Sequence, residues 1–397
     1  MKSKDETEVR QEAVRRFLSG ESANNICSDL NRSKPWFYKW LKRYQSGDGD
    51  WFKGVSHRPK HHPKQTSEDL ESTVINIRKS LVGTLYAQTG AIAIQWEMKK
   101  LGLEPLPAST INRILKRKHL INKRQKYEPK GKIYPEIGGG FPGSVHQMDI
   151  VGPRYLKNDG LSYSHNLIDA YSHQASLLPG RNKDDSTAAR TLIKAWQKMD
   201  IPEYLQMDNA LCYRGSNRWP RSFGLVIRFC LSLGVQPIFI PLGEPWWQGI
   251  IEKFNDVYDK SFLRRQKFAS FEHLQRCSHD FEGFHNQNHR YSVLHGKTPN
   301  QIIKEQAAKP RLLPENYQLP TEAIPLEEGY IHLIRFIRSS KILDVFGEQF
   351  LLQKTPAYEY VTATICVDSH RINVYLQDQL VEEIEYRMPV DWFMGDE

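Results

Sequence analysis

Cysteine is scarce in this sequence and shows no paired pattern: Cys27, Cys212, Cys230, Cys277 and Cys366 are odd in number, widely spaced and include no CxxC pair. This excludes a disulfide framework and a cysteine-based zinc site, and points to a reducing, cytoplasmic compartment. Long apolar runs are lacking too. The most apolar stretch, residues 225–240, is broken by Arg228 and Pro237 and falls short of the about 18 residues that a membrane span needs. Met1 is followed by acidic and polar residues, so no secretory signal is expected. Core-forming residues are not lacking. Of 397 residues 39% are hydrophobic and 25% charged, which at roughly 100–200 residues per domain allows about two to four domains.

Positive charge is unevenly spread. The chain carries a net +9, but residues 1–141 hold 27 Lys+Arg against 15 Asp+Glu, a net of +12, while residues 325–397 hold 6 against 13, a net of −7. The middle, residues 142–324, is left at +4. A basic front on a near-neutral body with an acidic end suggests a polyanion-gripping module carried by something else.

Residues 8–19 place Val9, Ala13, Val14 and Phe17 on one helical face, and Gly20 stops them. Ser22 then starts a second short helix with Ile26 and Leu30, and Ser33 caps a third, KPWFYKWLKRY, with Pro35 in its first turn. Three short helices with a tight second-to-third turn describe a helix-turn-helix, whose third helix enters the major groove of double-stranded DNA. Here it offers Lys34, Lys39, Lys42 and Arg43, interleaved with Trp36, Tyr38 and Trp40, some of which must be core. A second such unit follows, with helices over 68–81 and 91–101 and then INRILKRKHL, which carries Arg113, Lys116, Arg117 and Lys118. KGVSHRPKHHPKQT (53–66) and NKRQKYEPKGK (122–132) read as basic linkers. His57, His61 and His62 in the first are flanked by prolines and lack a suitably spaced cysteine, which favours solvation or phosphate contact over zinc.

From Val145 short apolar runs alternate with helices. VHQMDIVG reads as a strand ending near Asp149, HNLIDAYSHQASLLPG as a hairpin-like pair, DDSTAARTLIKAWQKM as an amphipathic helix, and EYLQMDNA as a strand ending near Asp208. Asp184 and Asp185 sit where a helix N-terminus favours negative charge. A helix over 223–233, the strand VQPIFIP, a Gly/Pro-rich loop and a long helix from about Trp246 complete a mixed α/β domain. Pro237 is easiest to place on an edge strand.

The segments HQMDIVGP, NLIDAYSHQ, LQMDNA, PLGEPWWQGIIEKFN and FHNQNHRYSVLHGKTP, in this order over about 142–305, resemble the catalytic core of DDE-type integrases and transposases of the ribonuclease H-like fold. Helix-turn-helix units ahead of such a core resemble bacterial insertion-sequence transposases, and the paired His/Cys zinc unit of retroviral integrases is absent. The resemblance implies three carboxylates that hold two Mg²⁺ or Mn²⁺ ions, with Asp149 bridging and Asp208 and Glu252 each completing one. Hard oxygen ligands suit such ions, which about 3.5–4 Å apart activate a nucleophile and stabilise the leaving oxygen. Counting the 35 residues common in the family from Asp208 lands on Glu244. Glu252 is chosen instead, because it stands in QGIIEKFN with Gly249 three residues before and Asn255 three after, as in the family's helix. That choice leaves 43 residues between the second and third carboxylates and implies an insertion of about eight in YRGSNRWPRS.

The same resemblance makes Asn209 a polar neighbour that orients substrate and Asp169 an acidic strand position that is not a ligand. Where family members carry basic residues four and seven positions after the glutamate, this chain has Asp256 and Asp259. The positive charge is displaced to Lys253, Lys260 and Arg264, of which Lys253 and Lys260 are expected to meet DNA. Trp246 and Trp247 either stack on unpaired bases or plug the loop.

After a proline-dotted link, five short strands rich in β-branched and aromatic residues (YIHLIRFIRS, ILDVFGEQFLL, YEYVTATICVD, RINVYLQD, LVEEIEYRM) suggest a small SH3-like barrel, a common companion of integrase cores. Its acidity argues against a phosphate grip and for a contact between protomers. The expected chain is multidomain: a helix-turn-helix over 1–52, a linker over 53–67, a second all-α unit over 68–121, a linker over 122–141, a catalytic core over 142–308, a linker over 309–328 and a β-barrel over 329–388. The implied function is a transposase or integrase that binds element ends, cleaves DNA at 3′ ends and transfers the strand into target DNA. It would act as a homo-oligomer on DNA in the cytoplasm, associated with the nucleoid, with no membrane and no small-molecule cofactor. The rivals are a sequence-specific DNA-binding protein, or domesticated transposase, with an inert core, and a stand-alone nuclease.

Overall fold

The computed structural model describes residues 6–47, 49–54, 66–121, 134–157, 159–218, 220–306 and 309–388. The linker residues His57, His61 and His62, and residues 122–133 of the second basic linker, lie outside these. No helix among the described residues is long and apolar enough to cross a membrane. The chain divides into two compact units, residues 1–67 and 68–397.

In the first unit, α1 (Glu6–Leu18), α2 (Ala23–Asp29) and α3 (Lys34–Gln45) close on Ala13, Val14, Ile26, Cys27, Phe37 and Leu41. The expected caps are present. Ser22 Oγ accepts from Asn25 N at 3.3 Å and Ser33 Oγ from Trp36 N at 3.4 Å, each pairing a donor that a helix start leaves open. Of the aromatic residues in α3, Phe37 and Trp40 are buried and Tyr38 is exposed. The Trp40 ring has the guanidinium groups of Arg10 and Arg43 4.1 Å and 5.1 Å from its centroid.

The second unit opens with α4 (Glu68–Gly83), α5 (Ala91–Lys100) and α6 (Ala108–Arg117), packed around Val74, Ile94, Met98, Ile111 and Leu115. Between α4 and α5, Tyr86 adopts a φ of 66° and inserts its ring among Phe262, Phe281 and Phe284. Its carbonyl accepts from the buried His289 ring, and Gln88 exchanges two hydrogen bonds with the backbone of Arg290. These contacts seat the three helices on the α/β region that follows.

There, β1 (Val145–Leu156), β2 (Gly160–Asp169) and β3 (Ala175–Gly180) form an antiparallel meander. Helix α7 (Asp185–Trp196), with Asp184 as the expected N-cap accepting from Thr187 N at 2.7 Å, leads to β4 (Tyr204–Met207). Helices α8 (Leu211–Arg214) and α9 (Leu225–Ser232) lead on to β5 (Gln236–Phe239). Strand β4 runs parallel to β1, and β5 parallel to β4. Next come α10 (Gly249–Tyr258), continued by a π-helical turn over Asp259–Leu263, then α11 (Phe271–Asn288) and α12 (Pro299–Glu305). The mixed sheet expected in the middle of the chain is therefore present.

The C-terminal strands differ from expectation. Among the described residues there are six: β6 (Tyr330–Phe336), β7 (Ile342–Val345), β8 (Glu348–Leu351), β9 (Tyr360–Cys366), β10 (Arg371–Leu376) and β11 (Gln379–Glu385). Six arise because ILDVFGEQFLL turns at Phe346 and Gly347, both at positive φ, into the β7–β8 hairpin. β6 pairs in parallel with β5 through Ile238↔His332 and Phe239↔Leu333, giving one nine-stranded sheet in the order β11-β10-β9-β6-β5-β4-β1-β2-β3. These pairings do not build a free-standing SH3-like barrel; they extend the central sheet. The physical reason lies in β6, whose residues 333–335 are buried on both faces, as an interior strand requires. Pro237 is likewise interior, not at an edge. Gln236 N–H donates toward β4, so by alternation the missing N–H of Pro237 faces β6, where pairing begins only at Ile238.

One apolar cluster spans this seam, from Leu192, Trp196 and Phe229 to Leu333, Val361 and Ile372. Leu333→Ala should therefore lower the unfolding free energy of the whole second unit by about 2–5 kcal/mol. Denaturant titration followed by tryptophan fluorescence should show one shifted transition. A separate early transition that leaves the main one in place would restore an independent C-terminal domain.

Candidate active site

Register places the first two carboxylates. The last parallel pair between β1 and β4 is Gln147↔Gln206, and Asp149 and Asp208 each lie two residues beyond it. Both side chains thus project on the face of their glutamines, from neighbouring strands about 4.8 Å apart. Asp208 lies just past the C-terminal end of β4, and Asp149 lies within β1, which does not end near Asp149 as expected but runs on to Leu156 in its pairing with β2. The glutamines also seat the third element. Gln147 Nε2 donates to Gln206 Oε1 at 2.8 Å, Gln147 Oε1 accepts from Ile251 N at 3.0 Å, and Gln248 Nε2 donates to Gln206 O at 3.0 Å. This pins the N-terminus of α10 against β1 and β4, and Glu252 follows Ile251 directly.

One turn further along α10, Asn255 Nδ2 donates to Asp149 Oδ2 at 2.7 Å and Asn255 Oδ1 accepts from Asn166 Nδ2 at 2.7 Å. Ser164 donates in turn to Asn166 Oδ1 at 2.7 Å, so the orientation of Asp149 is fixed from β2 and α10 together. Burial raises the Asp149 carboxyl to about 6, and the charges of Asp208 and Glu252 add to the rise. Burial raises Asp208 as well, against the pull of Ala210 N–H, which donates to its Oδ1 at 2.9 Å. The two aspartates line a cleft of about 430 Å³ with Lys183, Cys212 and Tyr213.

The two candidate glutamates stand in different surroundings. Glu244 Oε2 accepts from Trp247 Nε1 at 2.6 Å and from the Tyr360 hydroxyl at 2.7 Å, and so serves as a brace for the loop. Trp247 stacks on Tyr134 with ring centroids 3.4 Å apart, which makes it a plug, while Trp246 is exposed. Glu252 is half-buried and near enough to Asp149 to act on its charge. Among the described residues, however, no three His, Cys, Asp or Glu side chains converge closely enough to hold one ion. The carboxylate oxygens of Asp149 and Asp208, desolvated on neighbouring strands, are donors of the kind that suits a hard divalent cation.

Other expected residues are placed as follows. Asn209 uses both ends of its amide internally: Nδ2 donates to Ile240 O at 2.7 Å, and Oδ1 accepts from Arg335 at 2.8 Å. Asp169 is buried and caps its own turn, accepting from Tyr171 N, Ser172 N and the Ser172 hydroxyl. Asp256 pairs with both Lys253 (3.3 Å) and Lys260 (2.5 Å), and Asp259 pairs with Arg154 and with Arg264 (2.5 Å). The cations of α10 are thus tethered by the two unexpected aspartates. Lys34, Lys39 and Lys42 are exposed, whereas Arg43 is half-buried and donates to Lys53 O at 3.0 Å. Arg113 and Lys116 are exposed, and Arg117 pairs with the buried Glu71.

The segment expected to carry an insertion is a loop between α8 and α9, pinched where Gly215 (φ 94°) meets Gly224. A Cβ on Gly215 would lie 2.5 Å from Gly224 N. It docks on the β7–β8 hairpin, with Arg221 bidentate to Glu348 at 2.7–3.0 Å.

Residues 233–299 match the integrase core domain model, and residues 5–51 match a homeodomain-like domain model. The stretch 233–299 is thus similar to an integrase core domain. The matched stretch includes Glu252, while Asp149 and Asp208 precede it. Both matches support a DNA function of the transposase or integrase type. No curated protein sequence matches the chain significantly. Similar solved structures include the simian T-cell lymphotropic virus intasome in complex with PP2A regulatory subunit B56 gamma, at 17% identity and a TM-score of 0.35, covering 75% of this chain and 93% of that one. The HTLV-2 integrase catalytic core domain in complex with magnesium is similar at 18% identity and a TM-score of 0.32, covering 41% and 98%. The BIV integrase catalytic core domain is similar at 16% and 0.31, covering 41% and 95%.

The supports Gln147, Gln206, Gln248, Asn166 and Arg335 are not announced by any motif. Polar residues alternating along strands were the available signal. The titration of Asp149 yields a signed prediction. Its carboxyl ionises near 3.8 when unfolded and near 6 when folded, so the folded state holds the proton longer. Stability then falls as pH rises through this window, and the full cost, about 3 kcal/mol, stands above pH 6. Asp149→Asn should raise the thermal midpoint of the ion-free protein at about pH 8 and leave it nearly unchanged at about pH 4. Calorimetry showing a lower midpoint at both would contradict this electrostatic account.

Proposed function

We propose that the protein is a DNA transposase or integrase, a polynucleotidyl transferase that cleaves element ends at the 3′ side and transfers the freed strand into target DNA. The observation that carries this reading is the placement of Asp149 and Asp208 at equal register on adjacent strands, beside the helix that bears Glu252 within the stretch matched to the integrase core model. Asp149, Asp208 and Glu252 would hold Mg²⁺ or Mn²⁺, two ions per site. Bound there, such ions polarise the scissile phosphate and activate the attacking oxygen.

The chain's own residues do the positioning. Asn255 fixes one oxygen of Asp149, Asn209 ties the strand end at Asp208 to β5, and exposed Lys183 brings positive charge to the cleft rim, where a phosphate would lie. Lys34, Lys39, Lys42 and Arg43 on α3, with Arg113, Lys116 and Arg117 on α6, would grip double-stranded DNA, the exposed lysines of α3 facing the groove. Lys253 and Lys260 would reach DNA by exchanging Asp256 for phosphate. Two ends must be joined in concert, so at least two protomers would act together, in the cytoplasm on nucleoid DNA. The rival, a DNA-binding protein with an inert core, has one observation on its side: the three carboxylates do not close on one point.

Incubation of the full chain with labelled end DNA and Mn²⁺ should give both cleavage and joined products. Asp149→Asn, Asp208→Asn and Glu252→Gln should each cut the rate by roughly 10²–10³-fold or more while retaining end binding, and Glu244→Gln should remain active. Loss in Glu244→Gln with retention in Glu252→Gln would overturn the assignment, and no product from the unaltered chain would favour the rival.

DNA binding gives a separate prediction. Replacing Lys39 and Lys42 together with alanine should reduce the slope of log affinity against log salt by about 2. It should also weaken specific binding more than the same change at Lys60 and Lys64. Equal losses from both pairs would refute α3 as the recognition helix.

A further inference from the structure

Tyr213 lies on α8, five residues after Asp208, and its ring belongs to the main apolar core at 1% exposure. Tyr213 lines the cleft with Asp149 and Asp208, and its buried hydroxyl has no hydrogen-bond partner among the described residues. Leaving a buried hydroxyl unpaired costs about 1–3 kcal/mol, and phenylalanine would fill the same space without that cost. Burial and the nearby charges of Cys212, Asp149 and Asp208 hold the phenol well above its ordinary range, so it stays protonated and can serve as a donor.

The carboxylates that share its cleft and whose charges act on it have spare lone pairs. Asp149 already takes Asn255 and Asp208 takes Ala210 N–H, yet each carboxylate offers about four acceptor sites. Carboxylates that hold a metal are themselves held by outer hydrogen bonds, and the loss of such a bond typically weakens metal binding about 10–100-fold.

We propose that the Tyr213 hydroxyl is the outer donor that locks the Asp149–Asp208 pair when it holds a divalent ion, a positioning residue and not a ligand. This rests on the reading of that pair as an ion site. It explains why a polar atom stands unpaired in an otherwise apolar cluster: its acceptor is the pair in its ion-holding arrangement.

The test uses the full-length protein with Mn²⁺ as the probe, comparing the unaltered chain, Tyr213→Phe and Asp149→Asn by calorimetric titration and by thermal unfolding with and without Mn²⁺. Tyr213→Phe should melt at the same or a higher temperature without Mn²⁺, bind Mn²⁺ at least about tenfold more weakly, and gain less in thermal midpoint when Mn²⁺ is added. Affinity equal to that of the unaltered chain would overturn the proposal while leaving the ion site intact. A lower midpoint without Mn²⁺ would also overturn it, because the hydroxyl would then have a structural partner. If the unaltered chain binds no Mn²⁺, or Asp149→Asn binds as well as it does, the ion-site reading fails and this proposal with it.

Discussion

The register between β1 and β4 is the constraint on which the rest of the site depends. Because Gln147 and Gln206 pair, two aspartates two residues further on come to lie on neighbouring strands, partly desolvated and repelling one another. A slip of one residue would turn either carboxylate to the opposite face. The glutamines hold the register by bonding to each other, and they bind the start of α10, so one buried polar network aligns three elements at once. Such a network is costly if half-made and specifying if complete.

The acidic C-terminal strands belong to the same construction. β6 enters the sheet beside β5 and sends the buried Arg335 under the site, where its guanidinium donates to Asn209 at 2.8 Å and to Ile240 O at 3.2 Å. Burial lowers this guanidinium to about 10, which still leaves it charged at neutral pH. The residue next to Asp208 is thus held from the far end of the chain. The loop between α8 and α9, where an insertion was expected, reaches the β7–β8 hairpin in the same region through Arg221 and Glu348. Net charge alone suggested a surface for another protomer; the pairings give these strands an internal role first.

What was legible in the sequence was local. Ser22, Ser33 and Asp184 announce helix starts because a cap acts within three residues, and all three cap helices. Asp208 was legible as a strand end and Glu252 as a helix residue, whereas the strand expected to end near Asp149 runs on to Leu156, since its pairing with β2 continues there. Partnership between distant strands was not. β6 reads as an apolar strand whether it joins β5 or closes a barrel, and only the burial of both faces decides between them. Arg335 inside IHLIRFIRS was the missed clue, since a lone arginine in such a strand needs buried acceptors. Pro237 misled for a similar reason: a missing N–H forbids an interior position only where a partner strand calls for it.

The central claim, that Asp149 and Asp208 form the seat of a divalent ion beside Glu252, is tested most directly by placing a reactive ion there. Fe²⁺ with ascorbate and peroxide cuts polypeptide backbone close to where the ion is held. Mass analysis of the fragments should find cuts clustered around residues 149, 208 and 252, suppressed by excess Mg²⁺. Cuts elsewhere, or cuts at these places that Mg²⁺ does not compete away, would contradict the account.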